Sequence, residues 1–397
     1  MVPMQYDFDT EIQRRGTYSE KWDLAGPEEL PMWVADMDFP AAPEIVEALR
    51  RRVEHQVWGY TSVPEAWYQA VTGWWKARHG FEMEKEWLLF ATGAVPAIAS
   101  ILRRVTQPGE QVLVQSPVYN HFFLTIEDNG RRALESPLQY EGGVYRVDFQ
   151  DLEAKLADPQ TVVMLLCNPQ NPTGTIWDRE TLSRVGELCG KHHVLVLSDE
   201  IHCDLTAPGC SYTPFASLSG AFAQNSITCV APSKAFNLAG LQTSALVIPD
   251  PVLRHRVQQG LENDGVGGPN AFAIEGAIAA FTQGGPWLDA LRDYLEGNRK
   301  LVRQWLGQEL PQIKLVPGQA TYLLWLDCGA VTHDSRVLSR FLRKRAGLWL
   351  SSGAEYRGNG GDFLRMNIAC PRTRLKEGLR RLKAGIAVYQ DQERENK

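Results

Sequence analysis

The chain has no apolar run approaching the roughly 20 residues that a membrane-spanning helix needs. It also lacks an excess of basic charge. Against 41 Lys and Arg stand 47 Asp and Glu, a formal net charge of −6, so there is no electrostatic footprint for nucleic acid, and the Arg51-Arg52 and Arg103-Arg104 pairs read as helix surface. Cysteine is sparse and unpatterned. The seven cysteines, at 167, 189, 203, 210, 229, 328 and 370, include no Cys-x-x-Cys spacing, and several fall in apolar stretches where a free thiol behaves as a small hydrophobe. An odd, unpaired set points to a reducing compartment. The first fifteen residues interleave Asp7, Asp9, Glu11 and Arg14 and hold no signal-peptide core, so a cytoplasmic protein is expected. His192 and His193 are adjacent, and no His-x-x-x-His pair occurs, so no metal site is expected. A Gly-x-Ser-x-Gly elbow is absent as well. Gly265-Val266-Gly267-Gly268 opens no nucleotide-binding unit and reads as a loop.

What is present is the balance of an ordinary globular protein, with 44% hydrophobic and 22% charged residues. At about 150 residues per domain, 397 residues suggest two to three domains. Apolar positions recur at helical spacing from Pro43 to Arg52 and from Pro64 to Arg78, where Trp67, Val71, Trp74 and Trp75 share one face and read as core. Strand and helix signals then alternate, with strands at Leu88 to Ala91, Val112 to Gln115, Val162 to Cys167, Val194 to Leu197, Ile227 to Val230 and Ser244 to Ile248. That alternation predicts an α/β fold built on a mostly parallel sheet. After Pro286 the pattern changes to a long amphipathic helix, a strand at Tyr322 to Leu326, a helix at Ser335 to Arg345, a glycine-rich loop at Gly353 to Gly361 and a final helix from Arg374. This predicts a second, smaller α+β domain, with Gln390 to Lys397 as a solvated tail.

Three of the apolar strands end in polar groups. The Ile227 strand leads into Pro232-Ser233-Lys234-Ala235-Phe236-Asn237, the Val194 strand into Ser198-Asp199-Glu200-Ile201-His202, and the Val162 strand into Asn168-Pro169-Gln170-Asn171-Pro172-Thr173-Gly174. In a parallel sheet these carboxyl ends share one edge, where ligands bind. An amine able to condense with an aldehyde, a carboxylate for a ring nitrogen and an amide donor form a receptor for pyridoxal phosphate. Thr92-Gly93-Ala94-Val95-Pro96 comes after another strand and opens a helix, so the N–H groups of Gly93, Ala94 and Val95 suit a phosphate. Arg365 lies at the end of a strand from Asp362 to Met366, and its guanidinium matches an α-carboxylate in a two-pronged fork. Arg372 and Arg374 are expected in surface ion pairs. Glu200 is expected to be surface or structural, and Asn168 to cap its own backbone.

These motifs, with Pro-Ser-Lys-Ala-Phe-Asn-Leu-Ala-Gly-Leu and Phe363-Leu364-Arg365-Met366-Asn367 in the same order, resemble fold-type I enzymes of the class I/II aminotransferase-like group. More narrowly, Met32-Trp33-Val34-Ala35-Asp36-Met37-Asp38-Phe39, Trp58-Gly59-Tyr60-Thr61, Pro117-Val118-Tyr119-Asn120 and Glu262-Asn263-Asp264 are similar to the MalY/PatB-type cystathionine β-lyases, or C-S lyases. The similarity runs from about Tyr6 to about Leu382. It implies pyridoxal 5'-phosphate as cofactor and a homodimer in which Tyr60 reaches the partner subunit's phosphate. Residues 1–45 would join a small domain at 286–397, and 46–285 would form the large one. Lys234 would hold the cofactor, Asp199 its ring nitrogen, Tyr119 its ring face and Asn171 its phenolate oxygen. Ser233 would add to the phosphate contacts. Arg365, with Ala35 and Asp36 through their backbone, would bind the substrate carboxylate. His202 stands where a tyrosine is commoner, and is read both as a cofactor contact and as structural. Gln242 stands where many relatives carry an arginine phosphate clamp.

The implied reaction is α,β-elimination of cystathionine, cystine or S-substituted cysteines to pyruvate, ammonia and a thiol. An aminotransferase using the same parts is the alternative. A regulatory, partner-binding role is a third reading. The catalytic motifs begin close to the first residue, which leaves no space for a helix-turn-helix domain of the kind found in fused regulators.

Overall fold

A computed structural model of the chain describes residues 6–395. Its centre is a seven-stranded sheet: β1 (Leu88–Ala91), β2 (Gln111–Val114), β3 (Arg132–Glu135), β4 (Thr161–Cys167), β5 (Leu195–Asp199), β6 (Ser226–Val230) and β7 (Ser244–Val247), in the spatial order β1-β7-β6-β5-β4-β2-β3. Strands β3, β2, β4, β5 and β6 are parallel, and β7 runs antiparallel to both of its neighbours. The reason lies in the sequence. Val163, Met164, Leu165 and Leu166 are all buried, as a strand covered on both faces requires. Alternate residues serve opposite layers: Val163 and Leu165 pack with Val112 and Val114, whereas Met164 and Leu166 pack with Leu182 and Val185.

The helix Glu65–His79 buries Trp67, Ala70, Val71, Trp74 and Trp75 and stops at Gly80, whose φ of 62° supplies the left-handed cap. The predicted tryptophan face is therefore core. Sequence periodicity missed β3, the hairpin Gln139–Glu141 with Val144–Arg146, and the helices Pro251–Asn263 and Ala273–Gln283. The strand and hairpin are short, Pro251–Asn263 is mixed in polarity, and Ala273–Gln283 is apolar on most of its circumference, which leaves no clear amphipathic period.

Beyond residue 285 lie the helices Gly285–Glu309, Ser335–Ala346 and Arg372–Glu395 around an antiparallel sheet of β8 (Lys314–Leu315), β9 (Leu323–Asp327), β10 (Ser351–Ser352) and β11 (Phe363–Asn367), in the order β8-β9-β11-β10. The N-terminal segment meets this part of the chain, with Leu30–Pro31 pairing in parallel with Leu348–Trp349. Residues 353–361 form two 3₁₀ turns. The tail expected from Gln390 is largely exposed but helical as far as Glu395, an extension of the helix whose buried stripe is Leu375, Leu379, Leu382, Ile386 and Tyr389. Residues 396–397 lie outside the described range.

Arg374 corrects a second expectation. Its side chain is only 9% exposed, and its guanidinium lies 3.1 Å from Asp38, which also pairs with Lys21 at 3.1 Å and Arg14 at 2.8 Å and accepts the Trp22 indole N–H at 2.9 Å. Burial pushes the Asp38 carboxyl up, but Lys21 and Arg374 outweigh it and hold the group below the usual carboxylate range. This cluster ties the N-terminal segment to the last helix. Asp38→Ala would leave three cations without their shared anion, so a loss of about 3–5 kcal/mol is expected in chemical denaturation. Because the folded pKa is depressed, the stabilisation is complete above the unfolded carboxylate pKa and lost as pH falls through the folded one. A denaturation midpoint for Asp38→Ala equal to that of the parent protein would remove this role.

Candidate active site

The carboxyl edge of the large sheet gathers the groups read from sequence. Gly93, directly after β1, adopts φ 145°, a conformation that favours glycine. From there the helix Ala94–Val105 begins, with its first turn at the sheet edge and no acidic residue in it. Tyr119 precedes the helix Asn120–Glu127, half-buried against Phe122 and His121, and burial raises its phenol to about 12. Asp199 ends β5 opposite Cys167 of β4 and Cys229 of β6. Burial pushes its carboxyl up to about 7, against a hydrogen bond from the Ile201 N–H at 3.3 Å and the charge of Lys234. Lys234 comes after β6 on the short helix Pro232–Ala235, beside Ser233, and donates to the Ala35 carbonyl at 2.9 Å. Burial, then the nearby Arg365 charge, bring its amine down to about 8.

Arg365 enters from β11. It donates to the Asn171 Oδ1 at 3.2 Å and to the Trp33 carbonyl at 2.9 Å, and lies over the Tyr356 ring at 4.9 Å. A strap at residues 33–39 crosses the same space. The carboxylate of Asp36 pairs with Arg14 at 2.6 Å. Asn367 donates to the Val34 and Asp36 carbonyls, both at 2.6 Å, and the Asn237 side chain bonds both the N–H and the carbonyl of Met37. Both asparagines lie in the family motifs, where sequence alone gave them no role. Tyr322, which sequence reasoning passed over, donates to the Ala35 carbonyl at 2.9 Å.

Tyr60 is fully exposed. Asn168 is buried but bonds the distant Thr213 carbonyl at 3.0 Å rather than its own backbone. Gln242 takes a left-handed φ of 54° at the end of a turn.

The pocket fits pyridoxal phosphate on its own chemistry. Asp199 is a buried carboxylate without an ion pair at hydrogen-bond distance among the described residues, which suits a ring N–H. The Nδ1 of His202, buried and held neutral with its pKa pushed down to about 3 by burial, has no partner among the described residues, and neither has the Arg365 Nε.

An amine, a carboxylate and a guanidinium gathered at the carboxyl edge of a mostly parallel, helix-covered sheet define the class as a fold-type I scaffold of the pyridoxal phosphate kind. The chain belongs to the aminotransferase class I and II family, which it matches over residues 31–382. Within that family it is 45% identical to cystathionine beta-lyase PatB of Bacillus subtilis, over 96% of this chain and 100% of that one. The solved structure of cystalysin from Treponema denticola, which contains pyridoxal 5'-phosphate, superimposes with a TM-score of 0.93 at 33% identity, covering 97% of this chain and 99% of that one. The pyridoxal phosphate-bound C-S lyase of Staphylococcus hominis does so with a TM-score of 0.91 at 31% identity, covering 96% and 98%.

Behind the site lies a cluster that sequence spacing did not disclose. His79, Cys203 and Asp204 place their ligand atoms within 4.8 Å of one another, beside a cavity of about 430 Å³ also lined by Arg78 and Arg292. Asp204 accepts from the His79 Nε2 at 2.9 Å and the Trp74 indole at 3.0 Å. Two arginines on the same wall oppose a cation, and the carboxylate is already bonded, so the cluster acts as a clamp from the Glu65–His79 helix to the turn that carries His202. Asp204→Ala would strand both donors and is expected to cost about 1–3 kcal/mol in urea denaturation. A change of only a few tenths would mean that the clamp bears no load.

Proposed function

We propose that the chain is a pyridoxal phosphate-dependent carbon–sulfur β-lyase that eliminates a thiol from L-cystathionine, cystine or other S-substituted cysteines, and that it works in the cytoplasm as a homodimer. The observation that carries this reading is the meeting of Lys234, Asp199 and Arg365 in one buried pocket, in a chain 45% identical to a cystathionine β-lyase. In this reading Lys234 holds the cofactor covalently and Asp199 faces its ring nitrogen. Tyr119 covers the ring, and Asn171 and His202 face its oxygen. Gly93, Ala94, Val95 and Ser233 receive the phosphate, joined by Tyr60 of the partner subunit. When bound, the cofactor supplies an electron sink conjugated to the substrate Cα.

Arg365 takes the substrate carboxylate through parallel N–H bonds, and the backbone of Ala35 and Asp36 closes over it. The freed Lys234 amine accepts the Cα proton, and its lowered pKa keeps a useful fraction unprotonated near neutrality. The Cβ–S bond then breaks with its electron pair on sulfur, and the three-carbon remainder hydrolyses to pyruvate and ammonia.

Cystathionine or cystine should yield pyruvate, ammonia and a thiol over many turnovers with no keto acid added. Turnover that needed a keto-acid acceptor and released no thiol would establish an aminotransferase instead. Arg365→Ala should raise KM by about 10- to 100-fold, the loss of a charged bond of about 1.5–3 kcal/mol, with the cofactor spectrum intact. Unchanged substrate affinity would make Arg365 structural. Tyr60→Ala and Lys234→Ala proteins, each inactive, should regain activity when mixed under conditions of proven subunit exchange. Failure to do so would remove Tyr60 from the shared site.

A further inference from the structure

The Ala35 carbonyl is the meeting point of two donors from different parts of the chain. Lys234 Nζ reaches it from the large sheet at 2.9 Å, and the Tyr322 hydroxyl reaches it from the entry to β9, also at 2.9 Å. A carbonyl oxygen carries two lone pairs, so the donors do not compete. Tyr322 is 1% exposed, and burial pushes its hydroxyl far above the usual phenol range, so it stays a donor at every working pH. Its aim is fixed by its neighbour. Thr321 holds a left-handed φ of 67°, its hydroxyl accepts the Leu323 N–H at 3.1 Å, and its carbonyl accepts the Arg299 guanidinium at 2.8 Å.

The flanking strap carbonyls have other holders: Trp33 is held by Arg365 and Ser351, and Val34 and Asp36 by Asn367. Tyr322 is thus the donor that keeps the Ala35 carbonyl aimed whenever the lysine amine is engaged elsewhere.

We propose that Tyr322 is a positioning residue: by pinning the Ala35 carbonyl it fixes the point at which the free Lys234 amine docks, and so sets the line of proton transfer between that amine and the substrate Cα. The proton moves from carbon to the Nζ lone pair while the C–H electron pair stays with the substrate side. The inference rests on Lys234 being the amine that holds the cofactor and takes the Cα proton. It predicts that a change made only at the Tyr322 hydroxyl is felt at the amine, two hydrogen bonds away through the Ala35 carbonyl, and not in carboxylate binding, to which Ala35 would offer its N–H and not that carbonyl.

The test is Tyr322→Phe, which removes one oxygen and leaves the ring in its packing. In the holoenzyme, cofactor content, visible absorption and KM should be unchanged. The kcat should fall about tenfold through misalignment, and the isotope effect with Cα-deuterated substrate should rise as proton transfer becomes more rate-limiting. In cofactor-free protein, the pH profile for labelling Lys234 with an amine reagent, read by mass spectrometry, should shift downward, because a loosened carbonyl stabilises the ammonium less. An unchanged isotope effect together with an unchanged labelling profile would overturn the proposal, as would a rise in KM alone. Lys234→Ala separates the two claims. If that variant still turns over substrate, the lysine reading fails first; if it is dead and Tyr322→Phe is normal in every readout, only the role of Tyr322 fails.

Discussion

The structure depends on placing two cations, Lys234 and Arg365, in one buried pocket. Neither is neutralised by a carboxylate in contact among the described residues. Each is instead held by a carbonyl of the strap, Ala35 for the amine and Trp33 for the guanidinium. Backbone carbonyls stabilise a buried cation without cancelling its charge, so Arg365 can still attract a carboxylate and still lower the affinity of Lys234 for its proton. A salt bridge in either place would have quenched both effects. Leaving the charges open raises the desolvation cost, and the rest of the fold offsets it by over-determining where the carbonyls sit.

That over-determination explains the arrangement of the N-terminal segment. Residues 33–39 are irregular, yet Asn367, Asn237, Tyr322, Arg365 and Ser351 each bond their backbone. The segment leading into the strap is anchored by the buried cluster of Asp38 with Lys21, Arg14 and Arg374. Here the ionic groups are fully paired, in contrast to the pocket a few residues away. Paired charges fix the frame, and the cations of the pocket are held by its carbonyls.

Part of the pocket was legible in the sequence because Lys234, Asp199, Asn171 and Gly93 lie at or just after the ends of apolar runs, whereas Arg365 lies inside its strand. A strand buried on both faces announces itself by composition, and the residues immediately after it must lie at the sheet edge. Lys234, Asp199, Asn171 and Gly93 were found in that way. The contacts that were not legible share a cause in sequence separation. The Tyr322 bond to Ala35 spans 287 residues, the Asn237 bond to Met37 spans 200, and the His79 bond to Asp204 spans 125. No local pattern encodes such contacts. Arg374 was misread because a charged residue opening an amphipathic helix looks solvated until its partner, Asp38, is brought to it. The last turns of that helix were misread for a simpler reason: they are polar except for Tyr389, and the apolar spacing that carries the helix past Gln390 is sparse.

The neighbouring carboxylates Asp199 and Glu200 show how the fold separates a well-satisfied buried acid from a poorly satisfied one. Both are fully enclosed, and burial raises both to about 7. Alternation at the strand end sends them to opposite sides. On its side Glu200 accepts from the Ser198 hydroxyl at 2.8 Å, the Phe215 N–H at 3.0 Å and the Tyr212 hydroxyl, and these donors fill its acceptor sites and anchor β5 from behind. Asp199 accepts one long bond, from Ile201. Equal burial with unequal satisfaction means that the desolvation cost of Glu200 is met by several donors, whereas that of Asp199 is met only in part among the described residues. Position after a strand nominated both residues, and the count of donors distinguishes them.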